Sequence, residues 1–200
     1  MPGCAMCHHR SVASNIGESM GTSGLVRWSA IGLMLGGVSW VVLGLSAVFG
    51  YLQVIPGRED VVLFVVALLF TAAGLVGLHT LQKESYGLLG QAGFYIALVA
   101  ITGRILGAVL FLVGSSLHDG FPFPVATIGM VVGFVLYGVA TLRARVLPRW
   151  YGLALIVSMP VSLYLATYYG TVLFGLILVA LGFVLWLRRG VATRQPSRVR

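Results

Sequence analysis

"WYGLALIVSMPVSLYLATYYGTVLFGLILVALGFVLWL", residues 150–187, contains no Asp, Glu, Lys or Arg. As one helix it would be about 57 Å long, nearly twice the roughly 30 Å hydrocarbon core of a bilayer. It must therefore fold back on itself. The best turn is "TYYGT" (167–171), where interfacial tyrosines surround a glycine. That reading predicts helices over about Trp150–Ala166 and Thr171–Leu187, both near the short end of what spans a membrane. Pro160 falls inside the first of them, where its missing N–H predicts a kink.

Four further spans follow outward from this stretch. No charge falls between Arg27 and Arg58, and a helix fits about Ser29–Leu52 before Pro56-Gly57-Arg58-Glu59-Asp60 stops it. The next runs from about Val61 to Gln82, ending at Lys83-Glu84. A third begins near Tyr86 and reaches about Gly114, interrupted only by Arg104. After the loop "SSLHDGFPFP" (115–124), a fourth spans about Val125–Leu142, closed by Arg143, Arg145 and Pro148. The expectation is an all-α fold: a polytopic transmembrane bundle of six helices over residues 28–187. Residues 1–27 form an N-terminal tail and 188–200 a basic C-terminal one. Five helices is the alternative.

Composition agrees. The chain is 58% hydrophobic and 9% charged, with a mean hydropathy of +0.99. A soluble domain needs more charge to cover its surface. The net charge of +8 does not argue for nucleic acid, because a basic reading face needs a water-exposed surface to carry it.

The basic residues decide orientation. With six helices, Arg10, Arg27, Lys83, Arg143, Arg145, Arg149, Arg188, Arg189, Arg194, Arg198 and Arg200 share one side, and only Arg58 lies on the other. Positive charge collects in the cytoplasm, so both termini are expected there, in a bacterial plasma membrane, with the arginines facing anionic lipid. Trp28, Trp150, Trp186, Tyr86 and Tyr151 then mark the inner interface. Tyr51, Phe121, Phe123, Tyr168 and Tyr169 mark the outer one.

This orientation bears on Cys4-Ala-Met-Cys7-His8, a match to the C-x-x-C-H pattern of c-type haem attachment. That attachment takes place on the outer face of bacterial membranes, whereas these residues are expected inside. Cys4, Cys7, His8 and His9 could in principle supply four zinc ligands, but no second pair brackets a foldable loop. No cofactor or metal is expected. "MGTSGLVRW" from Met20 reads as a natural start, which makes residues 1–19 an upstream extension or a tail.

Arg104 is the one charge deep in a span, about 27 Å along its helix from Tyr86 and so in the outer half of the bilayer. Left alone there it costs at least about 2.5–3.5 kcal/mol. Snorkelling, or an ion pair with Glu59, Asp60 or Asp119, would relieve the cost; the functional alternative is an anion-binding or gating residue. His79 reads as interfacial, and His118-Asp119 as a polar loop pair, since no nucleophile or further ligand accompanies them. Gly32/Gly36, Gly103/Gly107 and Gly129/Gly133 have GxxxG spacing. With 27 glycines in 200 residues, chance gives about four such pairs, so they nominate close packing but no dimer face.

A short internal repeat pairs Gly77-x-x-Thr80-Leu81…Tyr86-Gly87-Leu88 with Gly138-x-x-Thr141-Leu142…Tyr151-Gly152-Leu153. Repeated hairpins occur in transporters, and inner loops also share such interfacial vocabulary. "GLHTLQKESYGLLGQAGFY" (77–95), "LPRWYGLAL" (147–155) and "LVRWSAIGLMLGGVSW" (25–40) resemble small multi-pass membrane proteins of actinobacteria and relatives. The resemblance covers most of residues 20–190 and departs from the usual start at 1–19. That family is uncharacterised, so it implies no catalytic or binding residue.

Three function classes remain. The first is a non-enzymatic membrane protein that assembles with lipids, with itself or with another membrane protein. The second is a small transporter or permease subunit for an anion or apolar solute; no Asp or Glu inside a span speaks for proton coupling. A membrane enzyme or redox protein comes last, because the sequence has no H-E-x-x-H, no paired carboxylates within a span and no cysteine pair at a membrane face.

Overall fold

The computed structural model describes residues 8–49, 58–82, 85–114, 122–145 and 148–192. Among these the chain is all-helical: α1 His8–Val48, α2 Arg58–Gln82, α3 Gly87–Leu112, α4 Pro122–Ala144, α5 Arg149–Tyr164 and α6 Ala166–Ala192. Five contain stretches long and apolar enough to cross a membrane: Arg27–Val48, Glu59–Gln82, Gly87–Leu112, Pro124–Ala144 and Tyr169–Leu187. The protein is an integral membrane helical bundle. Its helices are apolar nearly all round, as they must be when one side meets protein and the other meets lipid.

The helices succeed one another around a ring. Each packs on its neighbours in sequence, and α6 closes the ring against α1. Every such pair is antiparallel. A Cβ at Gly32 would stand 3.3 Å from the Gly74 nitrogen, and Gly77 abuts Ser29, fixing α1 against α2. Gly93 lies against Leu136 and Tyr137, and Gly103 against Ala126, fixing α3 against α4. Gly37 meets Gly175 and Val179, and Gly182 meets Ala30 and Met34, fixing α6 against α1. The Arg27 end of α1 thus lies beside the Trp186 end of α6, with the guanidinium carbon 5.7 Å from the indole centroid. This places the two ends of the bundle's chain on one side, the arrangement expected of an even number of helices.

The halves α1–α2–α3 and α4–α5–α6 have the same pattern of neighbours. α1 packs on α2 as α4 packs on α5, and α6 covers α1 as α3 covers α4. Three is odd, so the two halves point in opposite directions. The sequence repeat at 77–88 and 138–153 is a different relation, and its glycines diverge in use. Gly87 opens α3 at φ +62°, while Gly152 sits inside α5 against the Gly138 backbone.

The ring is filled by aromatic side chains. Trp40 meets Phe64 and Phe174 edge-on, with centroids 5.5 and 5.6 Å apart, and Phe134 meets Phe174 at 5.8 Å. The indole N–H of Trp40 donates to Thr71 Oγ1 at 3.1 Å, and Thr71 donates to the Ala67 carbonyl at 2.7 Å. This satisfies the polar atom that Trp40 brings into the aromatic core.

The uncharged stretch divides elsewhere than expected. The break falls at Leu165, not at 167–171, and α6 begins at Ala166. Leu165 still bonds its N–H to the Val161 carbonyl, so the chain reverses with a single residue outside both helices. Gly170 serves the crossing instead of a turn: it abuts the Ser162 backbone, where a side chain would not fit. In consequence α5 has 16 residues and α6 has 27. At 1.5 Å per residue α5 is about 24 Å long, shorter than the hydrocarbon core. Pro160 does lie inside α5, on its exposed face, and the helix continues to Tyr164.

At the other end, α1 is helical from His8 and continuous with its span, because no proline interrupts residues 8–27. Much of the expected tail is thus helical backbone. The expected end of the first span at Leu52 lies outside the described residues, as do Cys4, Cys7, His118 and Asp119.

Candidate functional site

Two loci gather the interior side chains that carry chemistry. The first surrounds Arg104. It stands 17 residues after Gly87, about 26 Å along α3, toward the end of the bundle where α2 begins. Its Nη1 donates to Thr127 Oγ1 of α4 at 2.5 Å, and its guanidinium carbon lies 5.0 Å from the centroid of the Phe64 ring of α2. One side chain therefore joins three helices. A guanidinium on an aromatic face away from water contributes about 1–2 kcal/mol, and the charge-assisted bond adds a similar amount.

Of the carboxylates named as partners for Arg104, Glu59 is exposed and Asp60 half-buried. Asp60 precedes Phe64 by four residues, which puts both on one face of α2. Asp60 thus stands one turn outward from the ring that Arg104 covers. The contribution of Thr127 was not legible in the sequence, because it comes from a separate helix 23 residues away.

The second locus lies at the opposite end, where α2 passes into α3. His79 Nδ1 shares a hydrogen bond with the Tyr86 hydroxyl, and its ring stacks on Phe94 with centroids 3.9 Å apart at 22°. Tyr86 meets Tyr137 edge-on at 5.8 Å. Burial, with a smaller push from the neighbouring Tyr95, raises the Tyr86 hydroxyl pKa to about 12. It keeps its proton at physiological pH. Thr141 Oγ1 reaches Gln82 Oε1 at 3.0 Å and the Tyr137 carbonyl at 2.9 Å, tying α2 to α4.

This cluster corrects the aromatic belt inferred from sequence. Tyr86 and Tyr151 are 6% and 0% exposed, so neither marks an interface. Their hydroxyls find partners within the protein, His79 for one and the Leu181 carbonyl for the other. Trp28, Trp150 and Trp186 are exposed at this end, and Tyr169 is exposed at the other. The side chains of Phe123 and Tyr168, and the residues Tyr51 and Phe121, lie outside what is described. His79 is half-buried and engaged in the cluster; the available signal was the spacing of His79, Gln82 and Tyr86 along one turn and the next.

The GxxxG glycines work inside the chain. Gly32 and Gly36 face α2, while Gly129 and Gly133 face Ala100 and Ala97 of α3. Among the described residues no group of three or more His, Cys, Asp or Glu could hold a metal. His8 and His9 belong to α1, but their side chains are not described. No family model, curated protein or solved structure matches this chain.

Proposed function

We propose that the protein is a non-enzymatic multi-pass protein of a bacterial plasma membrane that assembles with lipid, with itself or with another membrane protein. One observation carries this reading. Interior groups with chemical capacity join one helix to another: Arg104 with Thr127 and Phe64, Trp40 with Thr71, and Tyr151 with Leu181. Exposed Arg27, Arg143, Arg145 and Arg149 stand at one end of the bundle. Cytoplasmic placement of that end would set them against anionic headgroups, each contributing about 1 kcal/mol. The resemblance to actinobacterial multi-pass proteins supports the same compartment.

Reporter fusions after Arg200 and within residues 115–121 test the orientation: cytoplasmic activity is expected for the first and periplasmic activity for the second. Native mass spectrometry tests the association, with phosphatidylglycerol retained over phosphatidylcholine and that preference lost on replacing Arg143, Arg145 and Arg149 by Gln. Equal retention of both lipids would defeat the lipid part of the reading.

A second reading, a transporter for an anion or apolar solute, is favoured by the two oppositely directed halves with matching neighbours, an arrangement that recurs in transporters. Solute flux into proteoliposomes that Arg104→Ala abolishes would replace the first reading with the second.

A further inference from the structure

Between the inner ends of α2, α3 and α4, two polar side chains are buried with hydrogen-bonding capacity to spare. Gln82 is 1% exposed and Tyr137 is 0% exposed. Gln82 Nε2 and the Tyr137 hydroxyl have no hydrogen-bond partner among the described residues. Burying such groups unmet destabilises a bundle, and more so where lipid supplies no alternative.

Thr141 has one proton and two acceptors within reach, Gln82 Oε1 at 3.0 Å and the Tyr137 carbonyl at 2.9 Å. Turning the Gln82 carboxamide over lets Nε2 donate to Thr141 Oγ1 while Thr141 donates to the carbonyl. In either orientation one end of the carboxamide is left over, a donor in the first and an acceptor in the second. The Tyr137 hydroxyl can also give or take. Neither group carries a formal charge, and the nearby His79 is already bonded to Tyr86 and stacked on Phe94.

We propose that Gln82 and Tyr137 form a binding site for a small neutral molecule bearing a hydroxyl or carboxamide, walled by the Tyr86 ring. Thr141 holds the Gln82 carboxamide beside the backbone of Tyr137, and a molecule that both donates and accepts can answer the leftover capacity of either group. A bare ion would find a single dipole from each and no countercharge. An apolar solute would leave the carboxamide and hydroxyl as they are. Gln82 ends α2 and Tyr86 immediately precedes α3, so the site exchanges with the arginine-bearing end rather than with the bilayer centre. The inference stands independently of the function proposed above.

Acetamide is the probe, with acetate as its charged counterpart of similar size. Thermal unfolding of the full chain in micelles is followed while each is added. Acetamide is expected to raise the Tm of the wild type, and acetate to have no such effect. Tyr137→Phe and Gln82→Leu should each raise the half-saturating acetamide concentration about fivefold, the effect of one neutral hydrogen bond. Without probe, Tyr137→Phe should melt no lower than the wild type, since the hydroxyl it removes has no protein partner. The proposal is overturned by no response of the wild type to acetamide, which would mean a buried water only. It is also overturned by equal responses in wild type and variants, by acetate acting as well as acetamide, or by Tyr137→Phe melting lower without probe.

Discussion

Gly37→Ala probes the seam that closes the ring. The new methyl carbon would stand 2.6 Å from the Gly175 carbonyl oxygen and 2.7 Å from both the nitrogen and a methyl carbon of Val179. Two of these atoms are backbone, so no side-chain rotation relieves the overlap. Restoring a contact of about 3.4 Å requires α6 to move off α1 by about 0.8 Å, and a gap of 0.5–1 Å forfeits a quarter to a half of each dispersion contact it opens. Gly44, Gly175 and Gly182 approach the opposing helix as closely, so the loss spreads along the seam. Overpacking of this kind costs about 1–3 kcal/mol, and the backbone contacts argue for the upper half, about 2–3 kcal/mol. Reversible unfolding in mixed micelles with increasing SDS, followed by tryptophan fluorescence, measures it. Gly24→Ala is the control, since nothing lies within 4 Å of its Cβ position; there the higher helix propensity of Ala should leave stability unchanged or raise it by up to about 1 kcal/mol. Once α6 has been displaced, Gly175→Ala finds room already made, and the double variant should lose less than the two single losses added together. Wild-type stability in Gly37→Ala would refute the seam.

Three other outcomes are expected. Arg104→Ala should cost about 2–3 kcal/mol in the same titration and Thr127→Val about 1 kcal/mol, with the two losses less than additive because they share one bond. Thr71→Val leaves the Trp40 indole N–H buried without an acceptor and should cost about 1–3 kcal/mol, whereas Thr102→Val, whose hydroxyl only bonds back to Leu98 on an exposed face, should change little. Tyr86 should ionise near pH 12 against an ordinary value of 10.0; its contribution to stability is present in full below pH 10 and lost as pH rises through 12, and ultraviolet difference absorbance with Tyr86→Phe as the blank reads it.

Much of the architecture was legible in the sequence because it follows from solvation alone. Charges mark where water begins, and outside the uncharged 150–187 stretch and Arg104 each span lies between two such marks. The reversal at Leu165 was not legible, because no glycine, proline or polar residue marks it; the close fit of Gly170 on Ser162 decides it, and that contact exists only in the folded chain. The same holds for the glycines. Gly24 and Gly37 are identical in sequence terms, yet one faces open space and the other a backbone. At the site, the deep position of Arg104 was evident from the hydropathy break it makes, but Thr127 and Phe64 belong to two other helices. Tyr86 and Tyr151 were mistaken for interfacial anchors because they lie beside charged loops in sequence, whereas in space each is enclosed by the bundle with its hydroxyl bonded inside the protein.

The closure of α6 on α1 also sets the order of assembly. During synthesis α1 enters the membrane first, and the helix that fills its glycine-lined furrow is made more than a hundred residues later. Among the described residues the other extensive helix packings join helices consecutive in the chain, and each can form as soon as its second helix emerges. A nascent chain halted before residue 166 would therefore hold most of its final contacts and still present an open groove along α1 to lipid. That groove distinguishes an unfinished chain from a complete one.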